Sequence, residues 1–440
     1  MTTIAQTAQT MQTVLTDVAD KAARTTGFVQ RQSKLTGAKF CQTLVFGWLA
    51  NPQATLEELS QTAAVVGVEI SAQGLEQRFS RVAAACLQEV LAETIKQVVV
   101  CDPVCVPILR RFNGVYIQDG STLNLPASLA EVWQGCGGKA GQGLAALKLQ
   151  VRLDMVTGRL DGPFLQAGRA QDRQAPLQRA ALPAGALRIA DLGYWCLTVL
   201  ADLDRAGVYW LSRLQAQTVV YDMHDHRWEV SDLLEAQGSA KVDIAVQLGV
   251  SQRLPARLVA VRMPQQVADA RRMRLKAEAR HKGQTVSQTR LKWADWDIFV
   301  TNVPVELLTL DEALVLVRIR WQIELIFKLW KSHSHLDEWR SDKPWRILCE
   351  VYAKLIAVVM QHWLFLVGCW QYPNRSLFKA AQTVQKHAWH MAASLGCQDQ
   401  LQAALSVVER CLALGCRINK RKTVPHTYQC LLALTDGGLG

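Results

Sequence analysis

The sequence predicts a mixed α/β protein of several domains, and three observations carry that prediction. The first hundred residues have helical patterning, strand-like runs begin after about Arg110, and helix then alternates with strand beyond residue 170. With 440 residues the chain is too long for one ordinary core, so two to four domains are expected. Half of the residues are hydrophobic and 20% are charged, which describes a globular chain with little disorder.

The helical start is read from capping signals. Thr55 followed three residues on by Glu58 forms a capping-box pattern that opens a helix to about Val65. A turn around Gly67 follows, and Ser71 is placed to cap a second helix through Gln73, Gln77, Arg78 and Arg81. This is the plan of a DNA-reading helix-turn-helix, and equally that of a plain helical hairpin; Gly74 inside the second helix weakens it.

Gly114 to Leu125, Ala145 to Met155 and Leu160 to Ala167 read as three strands of a meander. Between the first two, Gly135 to Gly141 has a superficial likeness to a phosphate loop. Trp133 stands where the first glycine belongs and Ala140 replaces the Ser/Thr, so a hairpin loop is expected and nucleotide binding is not. Asp172 to Leu182 has helical character. A short apolar run, Ala186 to Ala190, stops at Asp191 and turns; Cys196 to Arg205 reads as helix and Val208 to Leu214 as strand.

Tyr221 to Pro304 interrupts this alternation. Between Arg253 and Lys292 lie eleven Lys or Arg against Asp269 and Glu278, an excess of nine and most of the chain's formal charge of +11. A solvated face normally mixes signs, so an arm that tracks phosphates is favoured here, with Arg271, Arg272, Arg274 and Lys276 in it. Trp293 and Trp296 follow directly; beside a basic stripe they suit stacking on unpaired bases, and as strand residues they suit anchoring a core.

From Leu316 to Lys331 the chain has the apolar density of a buried helix, yet Arg320, Glu324 and Lys331 interrupt it at offsets of 4 and 7. At roughly 100° per residue the three fall within about 40° of one another on one face. An Arg–Glu pair beside a solvated Lys would explain that row, and so would a site. Ile347 to Trp370 is the best candidate for a membrane span, but Glu350, Lys354, Gln361 and His362 interrupt it, so a buried or amphipathic helix is expected and no membrane. Helical patterns continue to Leu414, followed by a basic knot at Arg417, Lys420, Arg421 and Lys422. Met1 to Thr16 lacks the apolar stretch of an export signal. The twelve scattered cysteines then read as reduced core residues, and the His224/His226 and His387/His390 pairs lack the further ligands of a metal site.

Asp119, at the end of Val115 to Gln118, joins Asp191 and Glu324 as an acidic residue in an apolar setting, costly unless paired or bound to a cation. Three such carboxylates, if they converge, make an all-oxygen site for Mg²⁺ or Mn²⁺. These blocks resemble the DDE transposases of bacterial insertion sequences, in insertion-sequence family four, whose signature is Tyr-x2-Arg-x3-Glu-x6-Lys. Arg320, Glu324 and Lys331 match it in spacing; Asp119 lies in Gln-Asp-Gly-Ser-Thr, Asp191 in Ala-Asp-Leu-Gly-Tyr, and Trp296 precedes the signature in its family place. The likeness spans roughly residues 40 to 370. The family's tyrosine falls on Val317, which has no hydroxyl to offer a phosphate.

The resemblance implies a ribonuclease-H-like catalytic core (109–215 and 311–370) interrupted by a β-rich basic insertion (216–310). A helical DNA-end-binding region (1–108) and a helical C-terminal region (371–440) flank it. Asp119, Asp191 and Glu324 would ligate two Mg²⁺ or Mn²⁺ ions, Arg320 and Lys331 would hold phosphates, and Trp296 would stack on a flipped base in support of hairpin ends. The implied activity is Mg²⁺-dependent cleavage and strand transfer at terminal inverted repeats, by a homodimer pairing two ends of double-stranded DNA in a bacterial cytoplasm, at the nucleoid. A metal-dependent nuclease without joining and an inactive DNA-binding descendant are the alternatives.

Overall fold

The computed structural model describes residues 2–31, 33–137, 143–421 and 423–434. The chain opens with α1 (Ile4–Thr13), which runs through a π-helical turn at Val14–Val18 into α2 (Ala19–Thr25), then α3 (Gly37–Ala50), α4 (Leu56–Val65), α5 (Ala72–Glu76) and α6 (Arg81–Thr94). The first strands are β1 (Val115–Leu125), β2 (Ala145–Asp154), β3 (Leu160–Ala167) and β4 (Leu187–Ala190), followed by α7 (Leu197–Arg205) and β5 (Tyr209–Arg213). Next come β6 (Val220–Tyr221), β7 (Arg227–Trp228), α8 (Val230–Ala236), β8 (Lys241–Leu248), β9 (Leu254–Arg262), α9 (Gln265–His281), α10 (Gln288–Lys292) and β10 (Trp296–Thr301). Helices complete the chain: α11 (Leu310–Ile319), α12 (Trp321–Ser332), α13 (Pro344–Gly368), α14 (Leu377–Lys386), α15 (Ala388–Ser394), α16 (Gln398–Leu414) and α17 (Thr427–Ala433).

The fold is mixed α/β, and among the described residues ten strands are hydrogen-bonded in the order β3-β2-β1-β4-β5-β10-β9-β8-β6-β7. β4 runs parallel to β1 and to β5, while β10 closes antiparallel on both β5 and β9. The chain divides into two compact units. One holds residues up to Pro107, Asp119–Ala170 and Trp321–Gln429; the other holds Ile108–Gln118, Gln171–Arg320 and the C-terminal residues from Cys430.

The first unit is built around α13, which packs against α3, α6 and α16. Its charged pair is buried inside that packing: Glu350 and Lys354 meet at 2.7 Å with side chains 4% and 2% exposed. Lys354 also donates to the carbonyls of His335 and Glu338, each at 2.9 Å, so a buried ammonium has its partners. Burial pushes the Glu350 carboxyl up and the Lys354 ammonium down, and the contact between them opposes both shifts.

The second unit has its own core, in which Trp210, Leu234, Val246, Leu258, Trp296 and Val300 interdigitate between the sheet and α7 and α8. Helix α9 lies outside that core, with Ala268 as its one buried residue.

Several expectations from sequence need correcting. The second helix of the N-terminal pair is short: α5 ends at Glu76, and Ser80 caps a separate helix by accepting from the Ala83 amide at 3.3 Å. Asp172 to Leu182 forms two 3-10 turns, at 172–174 and 176–178, with Pro176 starting the second. Of the glycine-rich loop after Cys136, residues 138–142 lie outside the described residues, as does Lys422 of the basic knot. Cys105, Cys136 and Cys397 are exposed rather than core residues.

Candidate active site and DNA-facing residues

Parallel pairing of β1 with β4 sets Gln118 opposite Ala190 in register. Each of these two residues is followed in the chain by an aspartate, Asp119 and Asp191. β1 does not stop at Asp119 but continues to Leu125, and the Asp119 carboxylate accepts from the Gly120 amide at 2.8 Å. Asp191 directly follows β4 and precedes a 3-10 turn at Leu192–Tyr194. It occupies the cap position of that turn without a side-chain cap bond, so its carboxylate is not used to hold the turn.

The signature segment is two helices, not one. The Arg320 amide bonds the Val317 carbonyl, three residues back, and the ladder breaks there although Arg320 keeps right-handed helical dihedrals (φ −50°, ψ −33°). Arg320 therefore stands at the joint, and only Glu324 and Lys331 share α12. Ile323, Ile326, Phe327, Leu329 and Trp330 form the buried side of this helix, and Glu324 is half-buried at its edge. Lys331 Nζ donates to the Thr122 carbonyl at 2.9 Å, tying α12 to the strand that carries Asp119. From that contact Glu324 lies seven residues back along α12 and Asp119 three back along β1, about 10 Å in each case.

Asp119, Glu324 and Lys331 thus belong to the first unit, together with Gln73, Gln77, Arg78 and Arg81. Asp191, Arg320, Trp293, Trp296, Arg271, Arg272, Arg274 and Lys276 belong to the second. Among the described residues no three His, Cys, Asp or Glu side chains form a ready-made metal cluster. In kind, the donor set fits a hard divalent cation, since every candidate ligand is a carboxylate and none is a thiolate or imidazole.

The tryptophans and the basic stretch sit differently from the simplest sequence picture. Trp296 is 4% exposed and part of the second unit's core, with the Arg262 guanidinium 5.3 Å from its ring centroid; stacking on a base would require it to leave that core. Trp293 packs partly buried against the same cluster. On α9, Arg271 reaches Asp297 at 3.0 Å and the Trp296 carbonyl at 3.3 Å, and Arg272 bridges Asp269 and Asp295. Arg274 pairs with Glu278 one turn on at 2.8 Å. Lys276, Arg280 and Lys282 are exposed and make no ion pair among the described residues. The partners Asp295 and Asp297 lie just beyond Arg253 to Lys292 in the chain.

In the N-terminal region the capping box is formed: Glu58 accepts from the Thr55 amide at 2.7 Å, and Thr55 accepts from the Glu58 amide at 3.2 Å. That backbone hydrogen bond, helped by Asn51, holds the Glu58 carboxyl below the usual range. Gln73, Gln77, Arg78 and Arg81 are all exposed. Glu76 of α5 binds Lys343 at 2.7 Å and Arg346 at 2.9 Å, and Arg81 lies 6.0 Å from the Trp345 ring centroid. Sequence reasoning missed Lys343 and Arg346, because their partner is more than 260 residues away and no local pattern announces it.

Comparison with known proteins gives this arrangement its class. Residues 110–360 match the Transposase DDE domain family, and the chain belongs to it. Enzymes of this class cleave and transfer DNA, and dependence on divalent metal ions is general to them. The chain is 28% identical over 446 positions to the transposase for insertion sequence element IS231E of Bacillus thuringiensis subsp. finitimus, covering 93% of this chain and 90% of that one. It is 24% identical to the transposase for insertion sequence element IS1151 of Clostridium perfringens, over 78% of this chain and 76% of the relative. A putative transposase, InsL, for insertion sequence element IS186A of Escherichia coli strain K12 is 29% identical over half of this chain and 61% of its own.

Proposed function

We propose that this transposase recognises the terminal inverted repeats of its own element, cuts at the ends and joins the freed 3′ hydroxyls to target DNA as a homodimer. Asp119, Asp191 and Glu324 are the reactive-site carboxylates in this reading. The observation that carries it is the β1–β4 register, in which both members of the Gln118–Ala190 pair are followed by an aspartate. The ribonuclease-H-like core with an inserted β-rich stretch draws support from strand order, since β3-β2-β1-β4-β5 are consecutive neighbours and β6 to β9 come between β5 and β10 in sequence.

When bound, two Mg²⁺ or Mn²⁺ ions would activate the attacking oxygen and stabilise the leaving one. The chain's own groups do the rest. Lys331 uses one of its three donors on the Thr122 carbonyl and keeps two for a phosphate oxygen. Arg320, at the joint between helices, offers a planar fork suited to the same kind of ligand. Exposed Gln73, Gln77, Arg78 and Arg81 read the end sequence, while the unpaired cations of α9 follow the backbone. Val317 in place of a tyrosine removes one hydroxyl from the end-binding surface and no carboxylate.

The test is cleavage and strand transfer on the element's own end DNA with Mg²⁺, using Asp119→Asn, Asp191→Asn and Glu324→Gln. Each variant is expected to lose cleavage by at least about a thousandfold while binding end DNA as the parent does. Cleavage at the parent rate by any of them removes that carboxylate from the site. Cleavage by the parent without joined products makes the chain a nuclease, and neither product makes it a DNA-binding descendant.

A further inference from the structure

Strand β4 carries an arginine where an apolar residue is expected. Arg188 is registered against Tyr116 of β1 on one side and Trp210 of β5 on the other, and it is 4% exposed. A guanidinium there must be hydrogen-bonded to be tolerated. Its Nη2 donates to Gln178 Oε1 at 2.5 Å. Gln178, 3% exposed, ends the 3-10 turn at Pro176–Gln178, and its Nε2 donates to the Tyr194 carbonyl at 2.8 Å.

The positions along the chain matter. Arg188 lies three residues before Asp191 and Tyr194 three residues after it. One buried amide therefore closes the segment 188–194, with Asp191 at its midpoint. The backbone helps from inside the loop, where the Tyr194 amide donates to the Asp191 carbonyl at 3.0 Å. The second side of the turn is also tight: a Cβ on Gly193 would stand 3.1 Å from an Asp172 carboxylate oxygen. Asp191 itself makes no cap bond, so its direction is set by the turn that carries it rather than by its own side chain.

We propose that Gln178 is a positioning residue that holds the Asp191 turn at both flanks and so aims its carboxylate. The proposal rests on the reading of Asp191 as a reactive-site carboxylate. Buried amides of this kind, one step removed from a ligand, alter metal affinity or activity by about 10–100-fold when replaced.

Gln178→Glu separates the two arms of the bridge. The new carboxylate still accepts from Arg188, so the fold keeps its buried pair, but it has no N–H for the Tyr194 carbonyl. Gln178→Leu removes both arms and leaves Arg188 without this acceptor. The full-length protein is measured with end DNA for thermal midpoint, DNA affinity, cleavage rate, and binding of Mn²⁺ alone by electron paramagnetic resonance. Gln178→Glu is expected to melt somewhat below the parent, because a carboxylate oxygen now faces the Tyr194 carbonyl, and to bind DNA like the parent; below its melt it should cleave about 10–100-fold more slowly and bind Mn²⁺ about 10-fold more weakly. Parent-like cleavage and Mn²⁺ binding in Gln178→Glu overturn the proposal, as does a loss that appears only in Gln178→Leu together with a fall in thermal midpoint. Asp191→Asn, run alongside, distinguishes the two failures. If it cleaves normally, the role of Asp191 falls and Gln178's with it; if it is inactive while Gln178→Glu is normal, only the positioning role falls.

Discussion

Helices α13 and α9 treat charge in opposite ways. α13 is 25 residues long and apolar enough to cross a membrane by length and composition, yet 94% of its most apolar window is buried inside the first unit. Its Glu350 and Lys354 are fully enclosed and satisfied by each other and by two carbonyls. α9 is 17 residues long and Ala268 is its one buried residue; Arg271 and Arg272 are partly covered against aspartates, and Arg274, Lys276 and Arg280 face solvent. It persists as a helix through the Arg271 and Arg272 tethers to Asp297 and Asp295, the Arg274–Glu278 pair, and Arg280 in its last turn, where a cation favours the dipole. Hydropathy alone would send α13 to a bilayer, and charge counting alone would send all of α9 to a polyanion. What each helix packs against decides.

The comparison breaks most sharply at Lys354. Lys354→Met removes the ammonium and leaves Glu350 buried without it, a change expected to cost about 3–5 kcal/mol in a denaturant melt. The double variant Glu350→Gln with Lys354→Met should recover a good part of that loss, because no buried charge remains unpaired. A Lys354→Met protein as stable as the parent would mean that the pair is not the enclosed group described above.

A second, smaller effect lies on the same helix. His362 is fully buried with Nε2 2.8 Å from the Gly158 carbonyl, and burial pulls its pKa from 6.5 down to about 4. The neutral ring is therefore the folded form, and between pH 6.5 and 4 the unfolded chain binds the extra proton. Stability from this residue is present above pH 6.5 and lost as pH falls through that window, by an amount on the order of 3 kcal/mol at most. His362→Gln keeps a donor for Gly158 and cannot titrate, so its stability should vary less with pH across the window. An unchanged slope in a pH series of urea melts would assign the acid sensitivity elsewhere.

These two helices also show how much was legible. The first five strands were readable to within a residue or two, because β-branched and apolar alternation bounded by turn residues is a local signal, whereas β6 to β10 lie in the stretch that reads only as an interruption. The acidic blocks were readable as text. The joint at Arg320 was not: it contains neither Gly nor Pro, and the backbone keeps helical dihedrals while changing its hydrogen-bond partner. The short α5 was hidden for a related reason, since Ser80 acts as a cap only once Arg78 and Phe79 have left the helix. Long-range pairs such as Glu76 with Lys343 and Arg346, or Gln178 with Arg188 and Tyr194, leave no periodicity at all. The charge excess of Arg253 to Lys292 is legible in the sequence, but its pairing is not, because Asp295 and Asp297, which bind Arg272 and Arg271, lie beyond that stretch.

That last point gives the finest test of the contrast. Arg272 is three-quarters buried between Asp269 and Asp295, so Arg272→Ala should cost about 1 kcal/mol of stability. Lys276 is exposed and makes no ion pair among the described residues, so Lys276→Ala should leave the melt unchanged. On DNA the order reverses. Removing a cation that neutralises a phosphate lowers the slope of log affinity against log salt by about 1, whereas removing one already neutralised by carboxylates changes it little. Measuring binding of end DNA from low to moderate salt therefore sorts the cations of α9 into those that hold the helix and those that meet DNA. A flat response to Lys276→Ala, with a reduced slope for Arg272→Ala, would reverse the assignment and mean that the aspartate tethers open when DNA binds.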